Sequence, residues 1–232
     1  MQFIEKNGFD VRSAIYRLGR DGDGLEFILF PMIHVGEKRF YEEIGHRLKE
    51  CDLIFVEGIG SKKARLLVLM YEVIEKIKGF DLVTQHALKL SEFGDRVVHT
   101  DMDTETFDVN WSSLPLYTRA MLFLIVPFFI VYLYLWGTRS IIAEHMATDD
   151  LPSRDEILSS DEDWDRIDEV IVARRDQVLV ERIARLYEEQ RGRKKVVGIL
   201  YGAGHMRAVA GFLLSKLKYR VTKAEWVTVF DL

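Results

Sequence analysis

The chain has almost no cysteine. Cys51 is the only one in 232 residues, which excludes an internal disulfide framework and any cysteine-rich zinc site. It reads as a small buried side chain ahead of a strand. The chain also has no excess of basic charge. Its 32 Lys and Arg are mixed with 37 Asp and Glu, net −5, so the electrostatic footprint of a nucleic-acid binder is missing. The opening segment, MQFIEKNGFDVR, lacks the apolar stretch of a signal peptide, and the protein is expected in the cytoplasm. Repeats and low-complexity linkers are lacking too. The length suits one large α/β domain with an insertion better than two domains.

One long apolar run is present. Residues 120–136 (AMLFLIVPFFIVYLYLW) carry no charge and are flanked by Arg119 and Arg139. As a helix these residues reach about 25 Å, short of the roughly 30 Å hydrocarbon core, and Pro127 is expected to kink them. The run is read as a helix that packs in the insertion, meets another copy of the chain, or dips into the surface of the inner membrane. Ala120, Phe123, Phe128, Phe129, Tyr132 and Trp136 are the candidate contact residues, because large exposed apolar patches mark interaction sites.

Elsewhere strand-like and helix-like runs alternate. Residues 12–18 and 25–33 are apolar runs separated by Gly19-Arg20-Asp21-Gly22-Asp23-Gly24, turn chemistry that predicts an N-terminal β-hairpin. Phe40, Tyr41, Ile44 and Leu48 recur at helical spacing over 37–50, giving strand, loop, helix. The pattern repeats with a strand over 53–56 and a helix over 64–77. A third strand over 96–100 precedes the helical insertion, 104–190, expected over one end of the sheet. Ser153-Arg154-Asp155-Glu156 gives a capping-box start for its last helix. Arg191-Gly192-Arg193-Lys194-Lys195 closes that helix. A buried strand over 196–201, a helix over 206–217 and a last strand or strand pair over 219–230 complete the chain. The alternation predicts a mainly parallel mixed sheet flanked by helices, with a hairpin attached.

In such sheets ligands sit beyond the carboxyl ends of the strands. Four strand ends there carry polar groups: His34, Glu57, Asp101 with Asp103, and His205. Two imidazoles with one to three carboxylates suit a divalent transition metal; imidazole fits zinc, iron, cobalt or manganese, and carboxylate shifts the preference toward manganese or magnesium. Such an ion lowers the pKa of bound water and polarises a carbonyl. Without one, His34 with Glu57 is still a general-base dyad. Asp101 or Asp103 also fits the bland role of helix cap, and Glu57 that of an ion-pair partner. In the last long helix Trp164, Ile167, Ile171, Val178 and Leu186 form a stripe that includes Arg175 and Arg182. Arg175 is the candidate to bind a substrate carboxylate or an oxyanion.

The segments Pro31-Met32-Ile33-His34-Val35-Gly36, Phe55-Val56-Glu57, Arg175-Asp176 and Gly202-Ala203-Gly204-His205-Met206 stand in an order that resembles the TraB/PrgY/GumN family, related to TIKI peptidases. The resemblance covers nearly the whole chain outside the middle insertion. It implies a fold similar to erythromycin esterase and the haem-binding protein ChaN, and, for TIKI-like members, a manganese- or cobalt-dependent peptidase. Pro31 departs from it, standing where the first GxxH-type motif has Gly, so the loop before His34 is expected to run differently.

Two functions follow as expectations. The first is a metal-dependent hydrolase acting on a peptide or small acyl substrate: His34, His205, Glu57, Asp101 and Asp103 supply metal ligands, His34 and Glu57 the base, and Arg175 the charge stabiliser. The second is a non-catalytic protein at the membrane surface that sequesters a hydrophobic peptide or a haem-like cofactor. A single membrane crossing by residues 120–136 would put His34 and Glu57 on the opposite side from His205, so crossing and a shared site exclude each other.

Overall fold

The two apolar runs flanking the glycine-rich turn pair as the turn chemistry predicts. In the computed structural model, which describes residues 1–58, 61, 71–146 and 172–232, strand β2 (Asp10–Gly19) lies antiparallel to β3 (Leu25–Met32). The N-terminal residues add β1 (Ile4–Lys6), antiparallel to β2. The last run is one long strand, β9 (Arg220–Asp231), paired with β2 from Asp10↔Asp231 to Gly19↔Arg220. Because β9 occupies one whole edge of β2, β1 and β3 share the other.

Beyond β3 the sheet is parallel, in the order β3, β8 (Lys195–Gly202), β5 (Leu53–Val56), β7 (Val97–His99). The remaining strands, β4 (Val35–Gly36) and β6 (Val83–Thr84), form a small antiparallel ladder of their own. The central strand β8 comes late in the sequence yet sits between two early ones. Its register aligns Met32 with Gly202, Val56 with Leu200, and Val56 with His99 across β7. The carboxyl ends of β3 and β8 therefore stop at one level, and those of β5 and β7 at another, two residues short of it.

Alternation along each strand sends side chains to two apolar layers. Ile28, Phe30, Ile54 and Val56 meet helix α1 (Lys38–Leu48) through Phe40, Tyr41, Ile44 and Leu48. Phe27, Leu29, Phe55, Ile199 and Tyr201 face the opposite layer. Full burial of each such side chain contributes about 1.5–3 kcal/mol. Gly198 on β8 marks a tight contact: a Cβ there would stand 2.9 Å from Cys51 Sγ and 3.3 Å from Phe30. Cys51 is thus the small buried residue expected of it.

The insertion is helical over one end of the sheet. It comprises α2 (Thr104–Ser113), α3 (Leu116–Trp136) and α4 (Arg139–Met146). Its last helix, α5 (Arg174–Gln190), instead belongs to the second layer, where it packs with α6 (Met206–Gly211). The expected stripe on α5 is corrected in phase. The buried residues are Arg175, Leu179, Ile183, Leu186 and Tyr187, while Val178 is half-buried and Arg182 exposed. The capping box at 153–156, and Trp164, Ile167 and Ile171, lie outside the described residues, as does most of the helix expected over 64–77, of which 71–76 are helical.

Helix α3 extends the expected apolar run by one turn at its start. Its 21 residues span about 31 Å, and by length and composition it is apolar enough to cross a membrane. Among its exposed side chains Phe128 is 72% and Trp136 65% accessible. Phe129, Tyr132 and Trp136 stack in sequence along it, with ring centroids 6.2 and 6.1 Å apart. It is nevertheless no single crossing. Residues before it (β3, β5) and after it (β8) are hydrogen-bonded in one sheet.

Candidate functional site

Each strand end delivers one side chain. Glu57 follows β5, its backbone N–H still bonded to Leu200 O at 3.3 Å, which continues the β5–β8 ladder and aims the residue at the end of β8. There Glu57 Oε2 accepts the Gly202 N–H at 2.7 Å. Gly202 leaves room for this: a Cβ would stand 3.1 Å from that same oxygen. Asp101 follows β7, and His205 ends the turn after β8.

Arg175 joins them from the first turn of α5. Its Nη2 donates to Glu57 Oε1 at 2.5 Å and to Asp101 Oδ2 at 2.6 Å, and its Nε donates to Asp101 Oδ1 at 2.9 Å. The two bonds to Asp101 form the planar fork that guanidinium and carboxylate favour. The group is deep, with side-chain exposure of 8% for Arg175, 1% for Asp101 and 20% for Glu57. Two more donors reach Asp101, the Gly58 N–H at 3.0 Å and the Met102 N–H at 2.8 Å. The buried His205 places Nδ1 2.7 Å from Asp176 Oδ1 and Nε2 3.6 Å from Glu57 Oε1.

His34 lies near enough to this group to feel the charges of Glu57, Arg175 and His205. It lies in the break between β3 and β4, half-buried, with its Nδ1 3.3 Å from Gln85 Oε1 and its ring 4.5 Å from that of Tyr71. Pro31 remains within β3, paired with Tyr201, so the break comes after Met32 and the loop is confined to two residues.

The two histidines are driven to opposite charge states. Burial lowers the pKa of His34, against the attraction of Glu57. Burial also works against the His205 cation, yet the hydrogen bond to Asp176 and the nearby Glu57 carboxylate lift it to about 9. Burial opposes ionisation of Glu57 too. The nearby His205 and the charges of Arg175 and His34 outweigh it, holding the carboxyl well below the usual carboxylate range. At neutral pH the cluster therefore pairs a neutral imidazole with a cationic one.

The same bonds bear on the expected metal. A carboxylate offers about four lone-pair directions, and each oxygen of Asp101 already accepts two hydrogen bonds. Both oxygens of Glu57 are engaged by Arg175 and Gly202. Asp103 is an exposed helix cap whose oxygens accept from the Thr106 N–H and hydroxyl. Among the described residues no group of three or more His, Cys, Asp or Glu is gathered as a metal site. As placed, these donors do not fit a resident divalent ion, which would have to draw Glu57 and Asp101 away from Arg175.

The structure therefore brings Glu57, Asp101, Arg175 and His205 together, sets His34 beside them and leaves Asp103 apart. It adds two residues that were not singled out as candidates. Asp176 follows Arg175 on α5, and the turn of the helix presents both to the cluster. Gln85 comes from the ladder beside His34; the alternating pattern of a two-residue strand is too short to place it. The apolar groove lined by Tyr117, Met121, Leu124 and Phe128 lies along α3 and shares no residue with the cluster.

Compared with known proteins, the chain matches no family model, no curated protein sequence and no solved structure.

Proposed function

We propose that the chain is a hydrolase that cleaves a peptide or related acyl substrate by general acid–base chemistry at the carboxyl end of the sheet. The observation that carries the reading is the convergence, across three strand ends and α5, of the Arg175–Glu57–Asp101 ion-pair group and His205 beside the half-buried His34. His34 takes a proton from the attacking water as its oxygen adds to the acyl carbon. The cationic His205, oriented by Asp176, stabilises the oxyanion that forms. The protonated His34 then delivers the proton to the leaving amine or alkoxide as the acyl bond breaks. Glu57 keeps His205 charged, and Arg175 with Asp101 keeps Glu57 in place.

The test is turnover of a panel of p-nitrophenyl acyl esters and peptidyl p-nitroanilides by the full chain. His34→Ala and Glu57→Gln are expected to lower kcat by about 10²–10⁴, the usual worth of a positioned acid or base, with circular dichroism unchanged. Equal rates for the wild type and His34→Ala would sink the reading. Activity that disappears on chelation and returns with manganese or cobalt would favour the metal-dependent route that the family resemblance implies.

A second reading rests on α3, whose aromatic side chains are exposed to solvent. In it the protein is cytoplasmic and its exposed apolar α3 contacts the inner membrane surface, as large exposed apolar patches mark interaction sites; its activity there is hydrolysis or the sequestration of a hydrophobic peptide or haem-like cofactor. Co-sedimentation with liposomes tests the contact. A Soret band on titration with haem tests the cofactor. Full solubility as a monomer with no lipid binding would remove this reading and leave the first intact.

A further inference from the structure

Residues 83–85 run hydrogen-bonded beside residues 34–36. Val35 pairs with Thr84 and Gly36 with Val83. Gln85 continues the ladder, its backbone N–H donating to His34 O at 3.1 Å while its side-chain Oε1 stands 3.3 Å from His34 Nδ1. One residue thus holds both the main chain and the ring of His34. Thr84 Oγ1 donates to Glu75 Oε2 at 3.1 Å, which ties the ladder to the helical residues 71–76 that include Tyr71. The Tyr71 ring, tilted 37° at a centroid distance of 4.5 Å, closes one face of the imidazole. These contacts hold the His34 ring in the break between the strands.

An amide oxygen only accepts. The nitrogen facing it must carry the proton, and the hydrogen bond at one imidazole nitrogen decides the state of the other. We propose that Gln85 is a positioning residue that fixes neutral His34 as the Nδ1–H tautomer and leaves the Nε2 lone pair for a substrate or water proton. The inference rests on the hydrolase reading for its use and on the ladder for its geometry. It assigns a role to a segment, 71–85, that lies outside the strand ends and α5. Gln85 is exposed, so its replacement leaves the core untouched.

The test is ¹H–¹⁵N long-range NMR of the full chain labelled at histidine, which reports the tautomer without any substrate, combined with p-nitrophenyl acetate turnover. The wild type is expected to show His34 as Nδ1–H. Gln85→Glu, which keeps an acceptor, retains that pattern. Gln85→Met, similar in length but without an acceptor, shifts His34 toward Nε2–H and lowers kcat on the order of tenfold at unchanged KM, the worth of one hydrogen bond. An Nε2–H tautomer in the wild type, or an unchanged tautomer in Gln85→Met, would overturn the proposal. A wild type that shows the Nδ1–H tautomer and turns over no ester would overturn the hydrolase reading and leave the tautomer assignment standing.

Discussion

Replacing Arg175 by Met removes the cation that two buried carboxylates share and keeps most of the side-chain volume. Breaking a buried pair from one side costs about 3–5 kcal/mol, because the partner charge stays behind. The present geometry points to the lower end. Asp101, 1% exposed, keeps its bonds from the Gly58 and Met102 N–H groups. Glu57, 20% exposed, keeps the Gly202 N–H and the facing His205. The expected loss is about 3 kcal/mol. With a urea m-value of about 3 kcal/mol/M, it lowers the unfolding midpoint by about 1 M.

The loss has a pH signature with a defined sign. The carboxyl of Glu57 is held below its ordinary 4.5. Its contribution is therefore present above that pH and fades as pH falls through the folded-state value. The gap between Arg175→Met and wild type should narrow accordingly below about pH 4.5. A double-mutant cycle with Glu57→Gln should show a coupling of about 1–3 kcal/mol. A stability within about 0.5 kcal/mol of wild type, or strictly additive losses, would refute the view that this ion pair holds the site together.

Four further outcomes follow from the structure. Hydrolysis should show a bell-shaped pH profile, because His34 must be neutral and His205 charged; the acid limb falls below the ordinary 6.5 and the alkaline limb near 9, and a single acid limb would disconnect His205 from the chemistry. The stability that His205 contributes is complete below about 6.5 and lost as pH rises through about 9, which urea titrations at pH 7 and 9.5 would detect. Phe128→Ser with Trp136→Ser should leave the unfolding midpoint within about 0.5 kcal/mol, since both side chains are exposed, while weakening liposome binding at least tenfold. Gly198→Ala should cost about 1–3 kcal/mol by crowding Cys51 and Phe30, and Cys51→Ala in the same chain should recover part of it.

Much of this arrangement is legible in the sequence, for identifiable reasons. Strand ends announce themselves where an apolar run gives way to polar residues, so His34, Glu57, Asp101 and His205 could be placed without knowing strand order. The parallel sheet and its hairpin follow from period and turn chemistry. What the pattern does not encode is partnership between distant segments. The pairing of Arg175 with Glu57 and Asp101 and of Asp176 with His205 depends on which turn of α5 meets which strand. The expected stripe holds at Arg175 and Leu186 but not at Val178 and Arg182, because the buried face runs through Leu179 and Ile183 instead. Asp103 carried the signals of both cap and ligand, and the Thr106 N–H decides for the cap. The end of the chain allowed one strand or two. The pairing of the single strand β9 along the whole of β2, bulged after Val11 and after Arg17, selects one.

The place of β8 has a consequence for how the protein is made. β3 and β5 have no direct ladder with each other; each pairs with a strand that begins at Lys195. During synthesis their apolar edges, and the exposed α3, leave the ribosome well before the strand that joins them. Such distant pairing slows folding, and the waiting edges are where nascent chains aggregate or recruit chaperones. The turn that follows β8 also carries His205. Closure of the sheet and assembly of the histidine–carboxylate cluster are then a single late event, and chains stopped before residue 195 would emerge both unfolded and without the cluster.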